Sequence, residues 1–357
     1  LPARPAVDEA PGDVDVAALR RHGDRLVRPG DADHAVNVVA AGPPGWLTDA
    51  FAHALTAELT SYPAEAEAEA VLAGLYGRSP GEVVATNGAA QALWLLPAAL
   101  RPARAAVIHP LFTEAEAALH AHGVPVTRVL RDPHAAFELD PSDVPDDADL
   151  VLVGNPAAAT GTLSPRSLIL GLRQPGRTVV VDEAFMDLVP GETESLVGDA
   201  VPDVIVVRSF TKSLSIPGVR AGAAIAAAPL AARLRAVQPP WSVNAFALAG
   251  LVALGQHPGE LAARATQAAQ EREELVGGLA SLPGVRVWPS ATNHVLAHVD
   301  RGARVAAALR ARQIAVRPCG TFPGLTDDHL RITARDPQAN AAFVIALREA
   351  LDAVGRA

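Results

Sequence analysis

The chain has 357 residues, half of them apolar, and a formal net charge of −9. That length suits one large or two moderate domains with a sizeable core, and the acidic balance argues against a nucleic-acid surface. No run approaches the roughly 18 uninterrupted apolar residues of a membrane span. The single cysteine, Cys319, excludes an internal disulfide and suits a reducing compartment, so the default expectation is a cytoplasmic small-molecule enzyme.

Residues 1–15 are rich in Pro, Ala and Asp and read as a disordered lead-in, without a basic-then-apolar signal pattern. An N-terminal arm is expected over 1–45. Apolar runs rich in Val and Ile follow at 83–85, 105–109, 124–129, 150–153, 178–181, 204–207 and 221–227, with helical patterns between them at 64–76, 89–100 and 113–122. Continuous apolar strands alternating with helices predict an α/β fold over 46–245, its mostly parallel seven-stranded sheet covered on both faces. Sites in such sheets lie at the carboxyl ends of the strands. After about Trp241 the pattern changes. A helical region over 244–282, with a break at His257-Pro258-Gly259, precedes strands at 285–288, 294–298, 314–317 and 329–333 and helices at about 304–312 and 337–354. These predict a smaller α+β domain over 246–357.

Of the 30 Lys and Arg residues only one is a lysine, Lys212. Arginine replaces lysine freely on a solvated surface, but only lysine offers an amine that can lose its proton and form a Schiff base. One lysine in a chain that otherwise avoids it invites a chemical explanation, with chance survival of a surface lysine as the alternative. Polar residues also gather just after the strand signals. Thr86-Asn87-Gly88-Ala89-Ala90 joins a strand to a helix, and a Gly turn at a helix N-terminus presents free N–H groups that suit a phosphate. Phe112 follows the next strand and could stack on a flat ring, although core packing explains it as well. Asn155, before Pro156, is a hydrogen-bonding group or a turn residue. Asp182 ends a fully apolar strand, where a carboxylate is either paired or functional. Arg208-Ser209-Phe210-Thr211-Lys212 ends the following strand, and Arg220 lies eight residues on; Ser209, Thr211 and Arg220 could donate to a phosphate.

This ordered set resembles the aspartate aminotransferase superfamily, the pyridoxal 5'-phosphate (PLP) enzymes of fold type I, from about His22 to the C-terminus. Its strongest motif is Ser209-x-Thr211-Lys212 followed by Arg220-x-Gly222. The resemblance implies that Lys212 carries PLP covalently and that Gly88, Ala89, Ala90, Ser209, Thr211 and Arg220 hold its phosphate. Asp182 would face the pyridine nitrogen, Asn155 the ring oxygen and Phe112 the ring. Tyr62, in Ser61-Tyr62-Pro63, would reach the phosphate of a neighbouring subunit, which implies a homodimer with shared active sites. Arg331 would hold a substrate carboxylate, Arg335 and His22 a substrate phosphate, and Asn37 the substrate. No metal is implied.

Within the superfamily the chain is similar to the branch of histidinol-phosphate aminotransferase and of the threonine-phosphate decarboxylase of cobalamin biosynthesis. His22-Gly23, Gly42-Pro43-Pro44, Asp182 to Asp187, Pro240-Trp241-Ser242-Val243-Asn244, the run from Arg317 to Leu325, and Arg331-x-x-x-Arg335 tilt it toward the decarboxylases. It departs from the pattern at Phe185, where a tyrosine is usual, at Ala89-Ala90-Gln91, and at Val39, where a second Asn is expected. Decarboxylation of threonine phosphate is therefore the leading expectation. Transamination of histidinol phosphate or another amino acid is the alternative, and a non-catalytic protein of this fold the third. No Gly-x-Gly-x-x-Gly follows the first strand, which disfavours a nicotinamide enzyme. Trp241 is expected to give structural support near the domain junction.

Overall fold

The computed structural model describes residues 7–9, 16–20 and 23–356. Its main sheet runs, edge to edge, Val7–Glu9, Val126–Leu130, Ala105–His109, Leu150–Gly154, Thr178–Asp182, Val204–Ser209, Gly222–Ala226 and Val83–Thr86. The last seven are the expected strands. Within them only Gly222–Ala226 runs antiparallel to its neighbours. The eighth strand corrects the reading of a disordered lead-in at 7–9, where Val7–Glu9 pairs antiparallel with Val126–Leu130 and covers that edge; the rest of 1–15 lies outside the described residues.

Every residue of Ala105–His109, Leu150–Gly154, Val204–Ser209 and Gly222–Ala226 is buried, as a sheet with two covered faces requires. Side-chain alternation sorts the strands into two cores. Val179, Val181, Val204 and Val206 pack on one face with Leu47, Leu72 and Leu251. Val180, Ile205 and Val207 pack on the other with Leu93, Leu96 and Leu119. Helix Ala245–Leu254 belongs to the first of these cores through Ala247, Leu248, Leu251 and Leu254. This helix, expected in the smaller domain from 246 on, thus packs with the large sheet.

Beyond that turn, helix Glu260–Ala280 leads to a four-stranded antiparallel sheet in the order Val285–Val287, His294–Val299, His329–Thr333, Arg317–Pro318. Leu275, Leu309, Phe343 and Leu347 from three helices cover it. The single strand expected at 314–317 is divided. Ile314–Ala315 pairs in parallel with Ala32–Asp33 of the arm, whereas Arg317–Pro318 pairs with His329–Thr333. The chain changes partner at Val316 because the arm lies alongside it.

The arm is stitched to both parts. His34 Nδ1 bonds Thr333 O at 2.9 Å, and Val39 N donates to Lys212 O at 3.1 Å. Arg335 is its main fastener: Nη1 donates to Val38 O at 2.7 Å, Nη2 to Val36 O at 2.8 Å, and Nε to Asp33 O. Those bonds occupy the guanidinium outside the cleft described below, so the expected phosphate role for Arg335 gives way to an arm-holding one. Arg335→Ala should lower unfolding stability by roughly 2 kcal/mol or more, since several charge-assisted bonds are lost. Urea denaturation and proteolysis of the arm would check it; an unchanged midpoint would refute this assignment.

Candidate active site

A cleft of about 630 Å³ opens at the carboxyl ends of the central strands, between the arm and the smaller sheet. It collects Ala89, Ala90, Phe112, Asp182, Ser209, Thr211, Lys212 and Arg220 from the large sheet, and Asn37 and Arg331 from the arm and smaller sheet. A surface hollow of about 700 Å³ near Trp46, Tyr62 and His257 is larger but brings together no such set of convergent groups.

One end of the cleft is built for an anion. Helix Ala89–Leu100 starts at Gly88 with no side-chain cap, so first-turn amides at Ala89 and Ala90 line the cleft. Gly88 has φ +78°, and a Cβ there would come within 2.6 Å of Arg220 Nη2; the guanidinium lies over the space that only glycine leaves. Gly222 permits the next approach: its Cβ would meet Ala89 N at 2.7 Å. Arg220 itself holds φ +65° and donates to Pro217 O at 3.1 Å. Ser209 Oγ and Thr211 Oγ1 bond each other at 2.8 Å beside it.

Next to this cradle, Lys212 Nζ lies 3.5 Å from Ser209 Oγ and 5.2 Å from the centre of the Phe185 ring. Burial pulls the amine down to about 8; Arg220 and Arg331 push the same way, while Asp182 and Asp187 oppose them. Burial likewise raises the Asp182 carboxyl, moderated by Lys212 and by the Ala184 N–H, which donates to Oδ1 at 3.1 Å. Phe185 is buried, edge-on to His294 at 5.0 Å.

The far wall is cationic. Arg331 donates to Ala158 O at 3.1 Å and to Ala35 O at 3.2 Å, while its buried Nε has no partner. Burial and the nearby Arg317 draw it down to about 10. A guanidinium held by neutral carbonyls is ready for a carboxylate or phosphate. Asn37 Oδ1 accepts from Thr333 Oγ1 at 2.9 Å, and its Nδ2 faces His294 Nδ1 at 3.4 Å.

Several expected residues stand elsewhere. Asn155 is fully buried away from the lining: Nδ2 donates to Ser164 O at 3.1 Å, and Oδ1 accepts from Ser164 N at 2.8 Å. It braces the turn to Ser164 and does not line the cleft. Tyr62 is 77% exposed, stacked on Trp241 at 4.4 Å, and does not line this chain's own cleft. Trp241 is 57% exposed, so it supports no buried junction. His22 lies outside the described residues.

Sequence reasoning missed Arg317 as an individual residue. It is buried in the cleft wall, donates to Thr321 Oγ1 at 2.8 Å and lies 5.5 Å from the Phe322 ring centre. Only its motif had been noticed. It also missed Trp94, whose Nε1 donates to Glu114 Oε2 at 2.8 Å while Arg20 lies over its ring. No pattern in the chain marks that pair.

Because Lys212 is the sole lysine, a small amine-directed reagent followed by peptide mass spectrometry reads it alone. Labelling of the cofactor-free chain should rise through a midpoint near pH 8, against about 10.4 for a free lysine. Asp182→Asn should lower the midpoint further, since it removes the carboxylate that favours the charged amine. A midpoint at the free-lysine value would contradict the buried environment described.

A family model described as aminotransferase class I and II matches residues 35–347. A histidinol-phosphate aminotransferase of Mycobacterium tuberculosis is 42% identical, over 90% of this chain and 88% of its own length. A threonine-phosphate decarboxylase of Salmonella typhimurium is 30% identical, over 77% of this chain and 78% of its own. Among solved structures, the histidinol-phosphate aminotransferase of Clostridium acetobutylicum superposes with a TM-score of 0.83 at 24% identity, covering 90% of this chain and 99% of that one, which shows the fold. With a buried lysine, a carboxylate and an anion cradle at one cleft, and a family match over most of its length, the chain belongs to the class I and II aminotransferases, PLP-dependent enzymes of fold type I.

Proposed function

We propose that the chain is an aminotransferase for a phosphorylated amino donor such as histidinol phosphate, with 2-oxoglutarate as acceptor. The observation that carries this reading is the 42% identity, over 90% of this chain, with a histidinol-phosphate aminotransferase. Transamination moves a proton off and onto the substrate carbon, and an amine that titrates near working pH suits that task. Decarboxylation also ends with a proton delivered to that carbon, so Lys212 can serve either reaction. The 42% identical relative carries the aminotransferase name, whereas the decarboxylase is more distant at 30%, so the order of the two initial expectations is reversed.

The residues fit PLP. The uncapped amides of Ala89 and Ala90, with Ser209, Thr211 and Arg220, form a phosphate cradle, and Gly88 leaves the room it needs. Lys212 supplies the amine and Asp182 the buried carboxylate for the ring nitrogen. The cofactor, when bound, supplies an electron sink for the bond broken beside the substrate nitrogen. Lys212 Nζ then takes and returns the proton. Arg331 and Arg317 hold the substrate's anionic end, and the arm, through Asn37, narrows the cleft against water.

A second reading, decarboxylation of threonine phosphate, is favoured by one observation: two guanidiniums, Arg317 and Arg331, share one wall and suit a substrate with both a carboxylate and a phosphate. We also infer a homodimer. The exposed Tyr62–Trp241 stack, with Leu55 and Leu59 exposed on the same chain, offers an apolar surface, and Tyr62 can serve only a neighbour's cleft. A cytoplasmic location belongs to the same reading, supported by the single buried Cys319. Among the described residues no helix is long and apolar enough to cross a membrane.

Two assays run side by side decide between the readings: 2-oxoglutarate-dependent transamination of histidinol phosphate, and carbon dioxide release from threonine phosphate without a keto acid. The first should proceed and the second should not. Lys212→Arg should abolish turnover while the thermal midpoint holds, because Arg keeps the charge but forms no Schiff base. Arg317→Ala should raise the KM for the phosphorylated donor at least about tenfold, the weight of one charge-assisted bond pair. Turnover by the Lys212→Arg variant would refute the central assignment.

A further inference from the structure

Beneath the cleft, on the opposite face of the sheet, lies a buried charge cluster that the chemistry above does not use. Strand alternation builds it. Asp182 and Ser209 line the cleft, while their chain neighbours Glu183 and Arg208 turn to the other face, alongside Val181 and Val206. The Arg208 guanidinium is fully buried. Its Nη1 donates to Asp187 Oδ1 at 2.7 Å, and its Nη2 donates to Glu192 and, at 3.2 Å, to Ser195 Oγ. Glu183 Oε2 is 3.4 Å from Nε, and the Tyr76 ring centre 5.1 Å from the guanidinium carbon. The second oxygen of Asp187 accepts from Ser213 Oγ at 2.9 Å. Each of three cleft residues thus has a chain neighbour in the cluster: Asp182 has Glu183, Ser209 has Arg208, and Lys212 has Ser213.

This cluster is an uneconomical way to stabilise a fold. One guanidinium faces the carboxylates of Glu183, Asp187 and Glu192. Burial pushes the Glu183 carboxyl up, and pushes Asp187 up to about 7 against the pull of Arg208. Buried ion groups are often matched or exceeded in stability by apolar residues of similar volume. What the cluster does supply is direction. Hydrogen bonds fix Asp187 from Arg208 on one oxygen, and Asp187 fixes Ser213 from the other.

We propose that Asp187, locked by Arg208, is a positioning residue for Lys212, acting through the Ser213 hydroxyl to set the direction of the lysine stem in the cleft. The inference rests on Lys212 being the reacting amine. Displacements of about 1 Å in such a group can cost about a hundredfold in rate, so a single buried hydroxyl can matter far from the substrate. The charged groups that act on the Lys212 amine are Asp182 and Asp187, which favour its charged form, and Arg220 and Arg331, which oppose it.

The test uses Ser213→Ala, Ser213→Thr and Asp187→Asn, with kcat, KM, thermal midpoint and the pH midpoint of Lys212 labelling. Ser213→Ala and Asp187→Asn should each lower kcat about tenfold or more, with KM and thermal midpoint little changed. Ser213→Thr, which keeps the hydroxyl, should recover most of kcat. Asp187→Asn should also move the labelling midpoint below that of the unaltered chain, since it removes a carboxyl group that favours the charged amine. The labelling needs neither substrate nor cofactor, so it reports on the link even if the assigned reaction is wrong. Unchanged kcat and an unchanged labelling midpoint in both variants would overturn the proposal, as would losses that only track a fall in thermal midpoint.

Discussion

Lys212, half-buried at the cleft, and the buried Asp182 are groups of opposite charge type at the ends of neighbouring strands, and each acts on the ionisation of the other. Burial alone would discharge both groups. Each softens the effect on the other: Asp182 holds the amine up against burial, and Lys212 holds the carboxyl down against it. The surrounding fold keeps that balance. Fully buried strands exclude solvent beneath, the arm crosses above, and the anion cradle sets a third, cationic pole beside them.

Arginine carries most of the remaining electrostatic work, and identical guanidiniums do unlike things because their neighbours differ. Arg335 is surrounded by carbonyls of the arm and acts as a fastener. Arg331 meets only two carbonyls and keeps a face for an anion. Arg208 is enclosed by carboxylates beneath the sheet. Arg220 lies over a glycine, where a larger residue would collide with it. Composition alone could not assign these duties, although the scarcity of lysine made Lys212 conspicuous.

The central sheet and the strand-end cluster were legible because both rest on local signals. Unbroken Val and Ile runs can only be doubly covered strands, and a polar residue directly after such a run must emerge at the strand end, as Asp182 and Ser209 do. What was not legible depended on contacts distant in sequence. Arg331 and Arg335 lie four residues apart in one motif, yet only the path of the arm sends one to the cleft and the other to backbone carbonyls. Asn155 looked free to reach a ligand until the returning turn brought Ser164 against it. The split at Val316 likewise follows from the arm pairing with Ile314–Ala315, a contact between residues 282 positions apart that is invisible in the run of apolar residues itself.

The same arm has a consequence for the order of assembly. Its fastening bonds join Asp33, Val36 and Val38 to Arg335, residues 297 to 302 positions apart. Contacts of such long range close only after the intervening chain has been made and folded. The segment that carries Asn37 into the cleft, and that rests on the Lys212 backbone through Val39, therefore cannot be fastened before Arg335 has been made. Until residues 314–335 are in place the lysine pocket lacks its arm on one side, and the enclosure of a reactive amine depends on chain far from it in sequence.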